Sequence, residues 1–142
     1  MKTIKKLLSF VLPVLILVAV FSCKKDKGGS PSGNSDEAAA ARMVGTYKGT
    51  IDITSQDYFN AIILVTKESG NKIKVAAKTG ETYSKVTTKI FTIKAISGSN
   101  DAEAIGSPEG VVIYHHSDGA LTVGTLATAS GDVAYDFRGT KQ

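Results

Sequence analysis

Few side chains in this 142-residue sequence are equipped for chemistry, and their spacing excludes most of it. The chain has one thiol, Cys23, and two histidines, His115 and His116. Neighbouring residues on a strand point to opposite faces, so the two imidazoles do not converge with Asp118 on one ion. Zinc needs three or four convergent ligands, and no further cysteine or histidine is present to complete a set. The serines sit among Gly, Asn and Asp, where turns account for them, and no Gly-x-Ser-x-Gly elbow or phosphate-binding Gly-x-x-x-x-Gly-Lys occurs. Asp52, Asp101, Glu103 and Asp136 fall on strand or turn positions with no apolar pocket marked around them. No catalytic residue, metal or cofactor is therefore expected, and the chain reads as a non-enzyme.

Cys23 is different because of what precedes it. Lys2, Lys5 and Lys6 make a positive start, and Leu7–Val20 is an apolar run interrupted by Pro13. A run of this length is short for a permanent span, which needs about 20 apolar residues, and suits the core of a secretory signal. It ends in Val20-Phe21-Ser22-Cys23, which resembles the lipobox of bacterial lipoproteins, with Val20 and Ser22 in its apolar and small positions. The resemblance implies cleavage after residue 22 and a diacylglyceryl thioether on Cys23. It places the chain in the cell envelope, anchored by lipid to a membrane, the outer one of a Gram-negative cell. Several acyl chains hold a protein stably where one does not. The rest of the chain has no cysteine, so no disulfide competes for this thiol.

Removing residues 1–22 also removes three lysines. The net charge of +4 falls to near neutrality, with 14 basic and 13 acidic side chains left, and nucleic-acid binding is not expected. Residues 23–42 then form a tether. Gly28-Gly29-Ser30-Pro31-Ser32-Gly33-Asn34-Ser35 carries nothing apolar enough to offset its ordering entropy. Within Asp36–Arg42 a short helical turn is expected only if it docks, with Ser35 or Asp36 as cap and Arg42 at its end.

Residues 43–142 make one domain, large enough for a single core. Its period is two. Tyr47, Ile51 and Ile53 alternate with Lys48, Thr50 and Asp52; Ile63, Val65, Ile73, Val75, Val123, Tyr135 and Phe137 are the corresponding inward residues further on. Phe59–Lys67 and Val111–His116 are apolar on both faces. Asp118-Gly119 marks a hairpin. Within Tyr83–Ile96 the alternation changes phase at Ile90/Phe91, which predicts a bulge or barrel corner. Lys72, Lys74 and Lys78 share one strand face, Lys85 and Lys89 the next, and with Lys94 they read as solvated faces that discourage edge pairing. The expected fold is all-β: a small antiparallel meander of about eight strands closing into a barrel.

Gly45-Thr46-Tyr47-Lys48-Gly49-Thr50 opening the first strand, and Val133–Thr140 closing the last, resemble the small lipocalin-like (calycin-like) lipoprotein domains. Tyr47 stands where lipocalins proper have tryptophan. The resemblance implies an eight-stranded barrel that binds a small apolar ligand or an envelope partner. The alternative is an accessory envelope subunit working by protein contact without a cavity. If Cys23 carries the lipid, Cys23→Ala abolishes fatty-acid labelling and releases the protein from membranes; labelling that persists contradicts the assignment.

Overall fold

The computed structural model describes Gly33 and residues 35–142. The signal segment 1–22, Cys23 and the tether as far as Ser32, with Asn34, lie outside the described residues. The chain runs α1 (Asp36–Met43), β1 (Gly45–Ile53), β2 (Gln56–Ser69), β3 (Lys72–Ala77), β4 (Lys89–Thr92), β5 (Lys94–Ala95), β6 (Ala102–Ser107), β7 (Gly110–His115), β8 (Ala120–Thr125) and β9 (Asp136–Lys141). All nine strands belong to one antiparallel sheet in the order β4-β3-β2-β1-β9-β8-β7-β6-β5. The sheet curls into a nearly closed barrel. Its first and last segments, β4 and β5, are joined through Ile93 and share no ladder hydrogen bonds with each other.

The period-two pattern selects the inner face. Tyr47, Ile51, Ile63, Val65, Ile73, Val75, Val123, Tyr135 and Phe137 are all buried, as the alternation requires, and Ile53 is partly buried against them. Asp118 and Gly119 turn β7 into β8: Gly119 takes φ +66°, and Asp118 Oδ1 accepts the Ala120 amide at 3.0 Å.

Three strand expectations need correction. The phase change lies on β2, where Asn60 (φ +58°) is an extra residue between the pairs Thr50↔Phe59 and Gly49↔Ala61. The Tyr83–Thr88 segment is a series of turns, so the apparent phase change at Ile90/Phe91 comes from joining turn residues to a strand. The strand count is nine: Ile93 divides that segment, sending β4 to pair with β3 and β5 with β6, and Ala102–Ser107 forms a further strand, β6, beside β7. Tyr135 bonds to Thr125 without entering the β8–β9 ladder, and Val133 bonds to Thr87, so β9 begins at Asp136.

The helix forms because it docks. Ser35 is its N-cap, accepting the Ala38 amide at 3.2 Å, while Asp36 caps a different element by accepting the Ala95 amide of β5 at 2.8 Å. Ala39, Ala40 and Met43 enter the core, and small side chains there bring the helix axis close to the end of the barrel. Tyr47 Oη donates to the Met43 carbonyl at 2.7 Å, fastening the helix to β1. The helix therefore closes one end of the barrel, next to the starts of β1 and β3.

The Gly-x-Tyr-x-Gly start of β1 acquires a physical reason at its second glycine. Gly49 pairs with Gly139 across β1 and β9, and a Cβ on Gly49 would collide with the Arg138 carbonyl and the Gly139 Cα. A Cβ on Gly139 would strike the Lys48 carbonyl and the Phe137 ring. Gly49→Ala is expected to cost about 2 kcal/mol, the scale of an overpacked interior. Urea unfolding measures it, and an unchanged midpoint contradicts the close approach.

Candidate functional site

The interior is occupied by protein. Tyr47, Phe91, Phe137, Met43, Ile51, Ile63, Ile73, Ile93 and Leu121 are the largest fully buried side chains, and Tyr47 meets Tyr114 edge-on at 6.4 Å between ring centroids. Burial, and then the neighbouring Tyr114, push the Tyr47 phenol well above its ordinary pKa; burial alone does the same for Tyr135. Both phenols stay neutral.

The end opposite α1 is closed by polar groups. Lys89, at the start of β4, points inward and is 4% exposed. Its ammonium donates to Asp132 Oδ2 at 2.7 Å, lies 2.8 Å from Glu109 Oε2, and donates to Thr128 Oγ1 at 2.8 Å. Three donors thus meet three acceptors. Asp132 is held in turn by the amides of Thr128 (2.9 Å) and Ala129 (3.1 Å). The loop on one side of this cluster, 126–135, is tied to the loop on the other, 78–88. Thr87 N donates to Val133 O at 3.1 Å, and Val133 N donates to Thr87 Oγ1 at 2.7 Å. Tyr83, whose ring lies 5.9 Å from that of Tyr58, accepts the Ile62 amide at 2.9 Å and covers the remaining rim.

This overturns the sequence reading of Lys85 and Lys89 as one solvated strand face. Lys85 lies in a turn, and Lys89 is the most buried charged group described. The only sequence signal was phase: Lys89 alternates with Phe91 and Ile93, which puts all three inside.

Among the described residues, four clefts open on the outside of the barrel. Of about 320, 450, 200 and 440 Å³, they share lining residues and run across β2, β1, β9, β8 and β7. Ladder register orders their walls. Asp57, Asp52 and Asp136 face one another across β2, β1 and β9, followed by Gly124 and Val111. The next outward row is Phe59, Thr50, Arg138, Thr122 and Ile113. Like charges opposite one another on adjacent strands disfavour the sheet, and among the described residues no ion pair joins Arg138 to the three aspartates. Phe59 (72% exposed) stands at one side of this face and Leu126 (56% exposed) at the other. Asp52 and Asp136, singled out in the sequence, are brought together here, and Phe59, which opens the run read as apolar on both faces, stands beside them; Asp57 and Arg138 carry no such signal, because only register reveals that they are neighbours.

The other candidates are dispersed. His115 Nδ1 lies 3.3 Å from Asp101 Oδ2, and the His116 amide donates to Asp101 Oδ1 at 2.8 Å. That amide first, then the His115 ring, holds the Asp101 carboxyl below its usual range. Asp118 serves its own hairpin. Among the described residues no group of three or more His, Cys, Asp or Glu side chains is placed to hold a metal, and no helix is long and apolar enough to cross a membrane. Glu103, on β6, pairs in register with Lys94 of β5.

The Lys89 cluster sets a pH dependence. The Lys89 hydrogen bond, then the Thr128 and Ala129 amides, hold the Asp132 carboxyl far below its ordinary value. Burial pulls the Lys89 ammonium down, but its bonds to Asp132 and Glu109 outweigh that and leave it raised. The depressed carboxylate contributes stability above the unfolded value, near 3.9, which is lost as pH falls through the folded one; the raised ammonium contributes below about 10.4, lost as pH rises further. Stability should therefore hold between about pH 5 and 10 and fall on both sides. Lys89→Ala, leaving two acids without their cation, is expected to cost about 3 kcal/mol at pH 7. Denaturation across pH tests this, and an Asp132→Asn variant whose acid profile matches the wild type contradicts the assignment.

Compared with known proteins, the chain matches no family model, no curated protein and no solved structure.

Proposed function

We propose that this protein is a lipid-anchored cell-envelope lipoprotein, non-enzymatic, whose lipocalin-like barrel works by contact with a partner protein across its outer face. The observation that carries the reading is the closed interior: large apolar side chains fill it, α1 covers one end, and the Lys89 cluster with its two loops covers the other. A calycin-like barrel that binds a small apolar molecule keeps a hollow and a mouth. This one offers its recesses outside, so the accessory-subunit reading is favoured over the ligand carrier.

The contact face is the β2-β1-β9-β8-β7 surface. Phe59 and Leu126 supply apolar anchors, and the Asp57-Asp52-Asp136 row suits a partner that brings cationic side chains against it. Cys23 and the tether let the domain reach a neighbour in the plane of the membrane. Nucleic acid has no counterpart in this surface.

The test is photo-crosslinking in the native host, with the full lipidated chain carrying a photoreactive residue at Thr122. A discrete adduct that disappears in Phe59→Ser and in Asp52→Lys, with folding intact by thermal melting, supports the reading. Adducts unchanged by both substitutions, or none at all, overturn it.

A further inference from the structure

The barrel is closed unevenly around its circumference. Eight strand-to-strand ladders run from β4 through β3, β2, β1, β9, β8, β7 and β6 to β5, but β4 and β6 lie side by side with no ladder between them. On the side facing β4, β6 is paired only at Ala102 and Glu103, by the two residues of β5. Ala104–Ser107 make no backbone hydrogen bond on that side among those described. Four residues of β4 are bonded to β3 alone.

What spans this gap is side-chain chemistry. At the α1 end the chain itself crosses, through Ile93, and Asp36 of α1 holds Ala95. At the other end Lys89 of β4 reaches Glu109 in the β6–β7 turn and Asp132 and Thr128 in the β8–β9 loop. The inner wall beside the gap is thin on the β6 side, where Ala102 and Ala104 face Phe91, Ile93 and the rest of the core. On the outer side Ile90 (44% exposed) and Ile105 (63% exposed) flank it. A strand joined on one edge only has fewer bonds to break than any other, and an inward charge on such a strand disfavours pairing with a stray edge.

We propose that the β4/β6 seam is the opening element of this barrel and that Lys89, with Glu109, Asp132 and Thr128, is its latch. Opening releases the latch and the Thr87–Val133 hydrogen bonds and swings β4 and the 78–88 loop away from β6, while β1, β9, β8 and β7 keep their ladders. It uncovers the unpaired edge of β6 and the Phe91 side of the core. The Phe59 and aspartate part of the outer contact face lies on β2, β1 and β9, away from the β4/β6 seam.

Hydrogen exchange of the full mature chain, resolved by strand, tests it. In the wild type, the ladder-bonded amides of β4 are expected to exchange at least tenfold faster than those of β1 and β9. Glu109→Gln, which keeps the shape and removes one charge from the latch, should raise exchange in β4 and the 78–88 loop a further tenfold or more and leave β1 and β9 unchanged. Lys89→Met should do the same where it folds; where it does not, Glu109→Gln decides alone. Equal exchange across all strands in the wild type overturns the proposal. So does a Glu109→Gln effect that is absent, or that is spread evenly over the whole sheet.

Discussion

A buried ammonium with all three protons engaged holds together what the backbone of this barrel leaves open. A sheet that bends round on itself must bring its two edges together, and here the edge strands are too short and too abruptly joined to complete a ladder. Lys89 supplies the missing connection by reaching from β4 to the β6–β7 turn and the β8–β9 loop. Such an arrangement adds little net stability over an apolar plug, since desolvation offsets most of the attraction. Its loss is costly because the partner acids are then left without compensation. The same cluster therefore fixes which ends meet, closes one mouth of the barrel, and confines its stability to a pH range.

The rest follows from filling and covering. With its inner face set by alternation, the domain has room for its own side chains, and Ala39, Ala40 and Met43 of α1 complete the core from the other end. A helix of eight residues would not persist alone. It persists here because the start of the folded body is pinned at Asp36, Met43 and Lys141, the last donating to the Arg42 carbonyl at 2.8 Å. The chain thus enters the barrel at its helix end, and the Asp57-Asp52-Asp136 row belongs to the other end of β1.

Much of the fold was legible in the residues because the core positions obey a short-range rule. Tyr47, Ile51, Val123 and Phe137 each announce their face by alternation, and Asp118-Gly119 announces its turn. Four things were hidden for identifiable reasons. Strand β6, Ala-Glu-Ala-Ile-Gly-Ser, has alternation but little β-branched character, so its own residues do not distinguish it from loop. The bulge at Asn60 gives no clear phase signal, because residues on both faces of β2 are apolar. Lys89 reads as a surface residue from type alone, and only its long-range partners, Glu109 and Asp132, make burial tolerable. The outer row of aspartates was hidden likewise, since register between β2, β1 and β9 is a tertiary property.

On the proposed reading, this barrel is filled by its own side chains and acts from its outer face. Native mass spectrometry of the protein extracted from its own membrane tests that claim most directly. The expected mass equals that of the mature lipidated chain, with no small apolar molecule retained in stoichiometric amount. A bound apolar compound that survives gentle extraction and is lost on unfolding would contradict it.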